Sequence, residues 1–443
     1  VVTALLMMSF VLAKPAVGPE AIRLSVTDAV VKGGVLKDDH ITDFRGDKAE
    51  IRWRFLGKPG IYQARINVRA GSEKGYGLEV NGRSSGGMIK PSGDFTWQDA
   101  GLVELKDGEN TAAILRGWGY YDTKGIEFVP AVIPKVRPVS GKLVTPNPTK
   151  LAQDVMNRLS RDYGKRTWSG QYEQEDVKHV QAKAGVTPAI FGADFMDASP
   201  SRVERGTKQS PPISELVATA KSGMVLTLSW HWNAPSKLKD TKEQPWYKGF
   251  YKDATDFDVA AALANPDSDD YRLLIRDMDV IAGHLKQLQT AGVPVLWRPL
   301  HEAEGGWFWW GAKGAEPCKK LWRLMYDRYT RVHGLRNLIW VWNSRSPDWY
   351  PGDDTVDIVT IDRYPEDRSD ALTGDWTTLL AQFDGKKMLA VGEFPGAPDV
   401  DRMARFGVHW AFFVSWTNDL GARGMKDADL KRIYSSRRVV NRK

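Results

Sequence analysis

The chain has 443 residues, 42% of them hydrophobic, and a formal charge of +7 from 62 basic and 55 acidic side chains. That length exceeds one usual domain and implies two, each with enough apolar residues for a core. Lys and Arg are scattered among acids with no basic run longer than a pair such as Arg437-Arg438, so nucleic acid is excluded as a partner. A single cysteine, Cys318, rules out an intrachain disulfide and a cysteine zinc cluster, and seven dispersed His without HExxH spacing argue against a metalloenzyme. Eighteen Trp is far above average usage, which fits carbohydrate binding or a large aromatic core.

The apolar run 4–13, with small residues at Ala13 and Ala16, resembles the central part of a signal peptide and is too short to span a bilayer. No other stretch reads as a membrane span, so the expectation is a secreted protein with no membrane partner. From 20 to 133 short alternating runs are separated by Gly-rich turns, as in Glu50-Ile51-Arg52-Trp53-Arg54-Phe55 and Thr111-Ala112-Ala113-Ile114-Leu115. Alternation of period two with frequent turns indicates an all-β sandwich. Its motifs Gly57-Lys58-Pro59-Gly60-Ile61-Tyr62, Val80-Asn81-Gly82, 105–110 and Trp118-Gly119-Tyr120-Tyr121-Asp122 resemble carbohydrate-binding modules of family 35. The resemblance implies glycan contact by Trp118, Tyr120, Tyr121 and Trp97, against the alternative that Trp97 and Trp118 pack the sandwich. It also allows calcium in this module, although no acidic cluster specifies it. Residues 134–149, PKVRPVSGKLVTPNPT, read as a semi-rigid Pro-rich linker.

From 150 to 443 the texture changes to strands alternating with helices. Eight strands are predicted at 165–172, 188–195, 224–232, 293–302, 337–344, 357–364, 388–394 and 411–418. Amphipathic helices are clearest at 271–290 and 319–332. This is the pattern of a (β/α)8 TIM barrel, an α/β fold; an open doubly wound sheet is the alternative, but no GxGxxG or Walker pattern follows a strand. In a barrel the strand C-termini converge on one face, which carries the site. Those ends bring Asp194, His231, His301, Glu302, Asn343, Tyr364, Glu393 and Trp416 toward one cavity.

Two carboxyls at strand ends are what glycoside hydrolysis needs, one to protonate the leaving oxygen and one to attack. Glu302 is expected as acid/base, desolvated and its proton held by His301 and nearby indoles, and Glu393 as nucleophile, kept ionised by donors such as Tyr364 and Arg298. Strands four and seven face each other across the barrel mouth, and a gap of roughly 5 Å between the carboxyls would make the enzyme retaining. Asp194 and Asn343 read equally as substrate contacts or as hydrogen-bond partners behind the site. Trp246 lies in a long loop that could shape the cleft rim, whereas Trp340 and Trp342 share one side of their strand and read as packing. Asp353-Asp354 reads as turn capping rather than a metal site.

The stretch Trp297-Arg298-Pro299-Leu300-His301-Glu302, then Gly305-Gly306-Trp307-Phe308-Trp309-Trp310-Gly311, is similar to the acid/base motif of glycoside hydrolase family 26. So are Trp349-Tyr350-Pro351-Gly352-Asp353-Asp354 and Gly392-Glu393-Phe394. The resemblance implies a retaining endo-β-1,4-mannanase acting on mannan, glucomannan or galactomannan. It makes Glu302 the acid/base and Glu393 the nucleophile. His231, His301, Trp307, Trp310 and Trp416 become sugar contacts, and Tyr364 the support of the nucleophile. The expected partner is a β-mannan-type plant polysaccharide, the expected state a monomer, and no cofactor is required. Alternatives are a β-1,3-xylanase, a mixed-linkage β-glucanase, or a catalytically silent glycan-binding protein. One departure stands out: Ala303-Glu304 replaces the family's usual Met-Asn, and Glu304 is expected to raise the pKa of Glu302 or to bind elsewhere along the cleft.

Overall fold

The structure, a computed structural model, describes residues 21–46, 48–117, 120–133 and 135–442. The chain divides between Val132 and Ile133 into two compact units. The apolar run 4–13 and Trp118 lie outside the described residues.

The first unit is made of two antiparallel sheets. One orders Val35–Lys37, His40–Thr42, Asp122–Pro130, Gly60–Ala70 and Ser92–Leu105, with Ile22–Ser25 also on Asp122–Pro130; the other orders Val30–Lys32, Glu50–Gly57, Gly108–Arg116, Lys74–Val80 and Arg83–Ile89. Strand Glu50–Gly57 shows why these residues form a sandwich: Ile51, Trp53 and Phe55 alternate inward and are buried, while Arg52 and Arg54 point out. Phe55 of one sheet stacks on Phe128 of the other at 5.2 Å, which ties the two faces together. Tyr121, expected at the glycan surface, is instead buried edge-on against Phe44, while Tyr120 is exposed with the Arg45 guanidinium over its ring. Adjacent residues in extended chain face opposite ways, so only one of the pair can reach solvent. Among the described residues no three His, Cys, Asp or Glu side chains gather within ligating distance in this unit.

In the second unit the eight predicted strands form a closed parallel barrel, Thr167–Tyr172, Ile190–Asp194, Val225–Trp230, Val295–Pro299, Leu338–Asn343, Ile358–Asp362, Met388–Phe394 and Phe412–Ser415, with the first pairing both the second and the last. Every strand is buried along nearly its whole length, the expected state of a parallel sheet enclosed by helices. The outer layer includes Asp269–Thr290, whose Leu274, Met278, Ile281, Leu285 and Leu288 recur at helical spacing and are all buried. Trp340 and Trp342 pack edge-on against Trp322 of helix Ala315–Asp327, as the period of their strand requires. Asp354 is paired with Arg323, and Asp353 accepts the Tyr350 hydroxyl, so both serve the turn. Among the described residues no helix is long and apolar enough to cross a membrane.

The Pro-rich stretch expected as a linker is bound to the barrel over 137–145. Arg137 pairs with Asp384 at 2.7 Å, Val139 and Leu143 are buried, and Thr145 Oγ1 donates to the Leu338 carbonyl at 2.8 Å. Few apolar residues suffice here because the extended backbone finds a partner inside the barrel: Val144 N–H donates to Asp357 Oδ1 at 2.7 Å.

Asp357 also accepts Trp340 N–H, yet burial pushes its carboxyl up to about 7 against the pull of both N–H groups. Burial raises Asp370 to about 7 as well. The folded barrel therefore binds these protons more tightly than the unfolded chain does. The stability they contribute is full below the ordinary carboxylate pKa and is lost as pH rises through the folded value. The thermal midpoint is expected to fall between about pH 4 and about pH 7, and Asp357→Asn to flatten that fall. A midpoint that climbs across the window would show that burial of these carboxyls does not control it.

Candidate active site

The site is built at the C-terminal ends of the strands, around the buried guanidinium of Arg298. From strand Val295–Pro299 this group donates to Asp362 Oδ2 at 2.6 Å, to Glu393 Oε1 at 2.5 Å and to the Tyr172 hydroxyl at 3.0 Å. Glu393 takes a further bond on its other oxygen from Tyr364 Oη at 2.7 Å. The neighbour of Glu393 is Gly392, where a Cβ would stand 2.6 Å from Asp362 Oδ1 and 3.2 Å from Arg298 Cδ; its absence lets the ion pair pack beneath Glu393.

Glu302 follows the end of strand four in a left-handed backbone conformation (φ 53°), as does Leu300 (φ 54°). The turn is anchored by Asn343, whose Oδ1 accepts Glu302 N–H at 2.8 Å and whose Nδ2 donates to Asp362 Oδ1 at 2.9 Å. Trp307 folds back and donates from Nε1 to Glu302 Oε2 at 3.1 Å. A Cβ on Gly305 would stand 2.0 Å from the Trp307 ring, so glycine is required for that fold-back. One carboxylate oxygen from each of Glu302, Asp362 and Glu393 lies within 4.8 Å of the others. These three are the described residues closest to a metal-binding set, but Arg298 already supplies the cation to two of them.

Burial raises the Glu302 pKa to about 7, and the charge of Glu393 adds to the rise; Arg298, His231 and the Trp307 N–H oppose it. The expected desolvation of Glu302 is thus present, whereas the Trp307 N–H does not hold the proton, since an N–H donor favours the ionised carboxylate. His301 does not hold the proton either. It is fully buried, and burial, with the charges of His231 and Arg298, drives its pKa well below the ordinary value.

His301 instead meets His231, Nε2 to Nε2 at 3.2 Å, while His231 Nδ1 lies 2.7 Å from Asp194 Oδ2. Burial works to lower the His231 pKa, but Asp194 outweighs it and the net shift is upward. Asp194 is lowered to about 2: burial opposes this, and the His231 charge with bonds from His231 and Ser229 prevails. When His231 is protonated it donates to Asp194 on one side and to His301 on the other.

The sequence-predicted residues divide accordingly. Glu302, Glu393, Tyr364, Trp307 and His231 come together, with Trp307 and Tyr364 45% and 43% exposed and free to meet substrate. Trp416 is partly exposed beside Tyr172 at 4.7 Å between ring centroids. Trp310, expected as a sugar contact, is fully buried, stacks on Phe308 and donates to the His301 carbonyl; it supports the turn from behind. His301 is likewise a buried support. Asp194 serves His231, and Trp246 meets Tyr247, Arg202 and Arg205. Glu304 turns to the loop after strand five, and the groups that shift Glu302 most are Glu393, Arg298, His231 and Trp307. Sequence reasoning missed Tyr172 and Asp362 as members of the site, although both are the last residues of their strands, the one signal that marks them.

A (β/α)8 barrel with two glutamates facing each other from strands four and seven, one held as an acid and one held by donors, defines a glycoside hydrolase. Residues 144–443 match the family model for glycosyl hydrolase family 26, and the chain belongs to that family. Over 385 residues it is 44% identical to a mannan endo-1,4-beta-mannosidase of Thermothelomyces thermophilus, covering 86% of this chain and 79% of that one. The crystal structure of the Podospora anserina GH26-CBM35 beta-(1,4)-mannanase is 39% identical, with a TM-score of 0.71 over 95% of this chain and 97% of that one. The sandwich fits the family 35 carbohydrate-binding module of that structure. A beta-mannanase from a symbiotic protist of the termite Reticulitermes speratus, complexed with gluco-manno-oligosaccharide, is 32% identical with a TM-score of 0.62 over 69% of this chain and 97% of that one.

Because Glu302 must carry its proton to act, activity is expected to decline as pH rises through about 7. Glu393→Gln removes a like charge and should lower the Glu302 pKa, which carboxyl-selective NMR titration would read. No downward movement would show that the two carboxyls do not interact.

Proposed function

We propose that the chain is a retaining endo-β-1,4-mannanase that hydrolyses mannan, glucomannan or galactomannan with no cofactor. The observation that carries this reading is the placement of Glu302 and Glu393 oxygens within 4.8 Å of each other in opposed environments. That spacing leaves no room for a water between nucleophile and sugar and fits direct attack, as in retaining glycosidases.

In the first step a Glu393 oxygen bonds to the anomeric carbon while Glu302 gives its proton to the departing glycosidic oxygen. Tyr364 and Arg298 hold the Glu393 carboxylate in line. Once Glu393 is esterified its charge is gone, and with it part of what raised the Glu302 pKa. Glu302 is then suited to take a proton from water, whose oxygen attacks the anomeric carbon and frees Glu393. The two carboxyls and one water account for every bond and proton in the cycle.

The choice of β-mannan rests on the names of relatives at 44% and 39% identity. The N-terminal sandwich would hold the enzyme on insoluble polymer and raise the local substrate concentration. Tyr120 is its exposed aromatic among the described residues of the last loop. The apolar run 4–13 is read as an export signal, and a monomer suffices because one chain supplies every group of the site.

Reducing-sugar release from galactomannan, β-1,3-xylan and mixed-linkage β-glucan, measured in parallel, is expected from the mannan alone. Glu393→Ala should abolish it, and Glu302→Ala should reduce it about 10²- to 10⁴-fold. Proton NMR of the first products should show the β anomer. Release from xylan or glucan instead would overturn the substrate, and an initial α anomer would overturn the retaining step.

A further inference from the structure

The acid/base turn carries a strain that the mechanism above does not explain. Leu300 and Glu302 both lie in the left-handed region, which side chains other than glycine occupy only at a conformational cost. Such a conformation persists only where its surroundings over-determine it. Asn343 supplies one constraint through Glu302 N–H.

Two residues on, Glu304 supplies another. Its carboxylate accepts Ser344 Oγ at 2.6 Å, Ser346 N–H at 2.9 Å and Arg345 N–H at 3.1 Å, so it grips three consecutive residues of the loop leaving strand five. Ser344 Oγ also accepts Ser346 N–H at 3.1 Å, which closes the loop around the carboxylate. Hydrogen bonds to an ionised acceptor are roughly twice as strong as neutral ones. The gripped loop begins next to Asn343, so both constraints act between the same two strand ends. Between them, Ala303 is fully buried, and a Cβ on Gly311 would stand 2.0 Å from its carbonyl oxygen, so the turn is also closed from behind.

From this geometry we infer that Glu304 is a positioning residue for the acid/base: its carboxylate clasps the loop after strand five and fixes the turn from which Glu302 reaches the leaving oxygen. The inference rests on the reading of Glu302 as the acid. It assigns a task to the position where this chain departs from the family's usual pair.

The test uses the full-length enzyme and two substrates. Cleavage of mannan expels a sugar alcohol and needs the acid, whereas cleavage of a dinitrophenyl β-mannoside expels an anion that leaves unprotonated. Glu304→Ala is expected to lower kcat on mannan about 10- to 100-fold, the scale of a misplacement near 1 Å, with KM within about twofold. The kcat/KM for the aryl mannoside, which reports the first, bond-breaking step alone, should stay within about threefold, and Glu304→Gln, which keeps one acceptor oxygen, should lie between. If Glu304→Ala does not fold, Ser344→Ala removes one of the three bonds and should show the same substrate-selective loss at smaller size. Equal losses on both substrates, or no loss on either, would overturn the clasp. Glu302→Ala runs beside them: if it lowers kcat/KM for the aryl mannoside as much as for mannan, the acid assignment falls rather than the clasp.

Discussion

The site depends on one buried cation. The Arg298 guanidinium is almost wholly withdrawn from water and is balanced by Asp362 and Glu393, with Tyr172 accepting a further bond. Burying an unpaired charge costs several kcal/mol, so each carboxylate would be untenable without the arginine and the arginine without them. This mutual requirement draws together strands one, four, six and seven and leaves Glu393 oriented toward the open face. Tyr364 completes the hold from the loop beyond strand six.

Glu302 has no such cation of its own. It shares the field of Arg298 and His231, but burial and the negative Glu393 prevail and keep it an acid near neutrality. The two glutamates differ in role because one lies in direct contact with the guanidinium and the other does not. The His301–His231–Asp194 chain runs alongside, and Asp194 favours the protonated form of the middle imidazole.

Much of this was legible before any coordinates. The eight barrel strands, the alternation of the sandwich and the gathering of Glu302, Glu393 and Tyr364 at one site follow from hydrophobic period, from convergence of strand ends and from motifs similar to family 26. The aromatic run after Glu302 was less legible. Trp307 is exposed and bonded to the acid, whereas Trp310 is buried behind His301. In a turn with two left-handed residues no period tells which way successive side chains point. The residues bound to the barrel at 137–145 show the same limit: their composition reads as linker, and only a buried carboxylate at Asp357 reveals a partner for their backbone.

Sequence alone therefore determined the two-unit architecture, the meeting of Glu302 with Glu393 and the family, because periodicity and local motifs are carried by neighbours along the chain. Tertiary structure alone decided that Asp362 and Tyr172 belong to the site, that His301 and Trp310 stand behind it, and that Glu304 faces away from Glu302. Those outcomes turn on charges and backbone groups brought together from distant strands, in surroundings whose burial sets which of them must be paired.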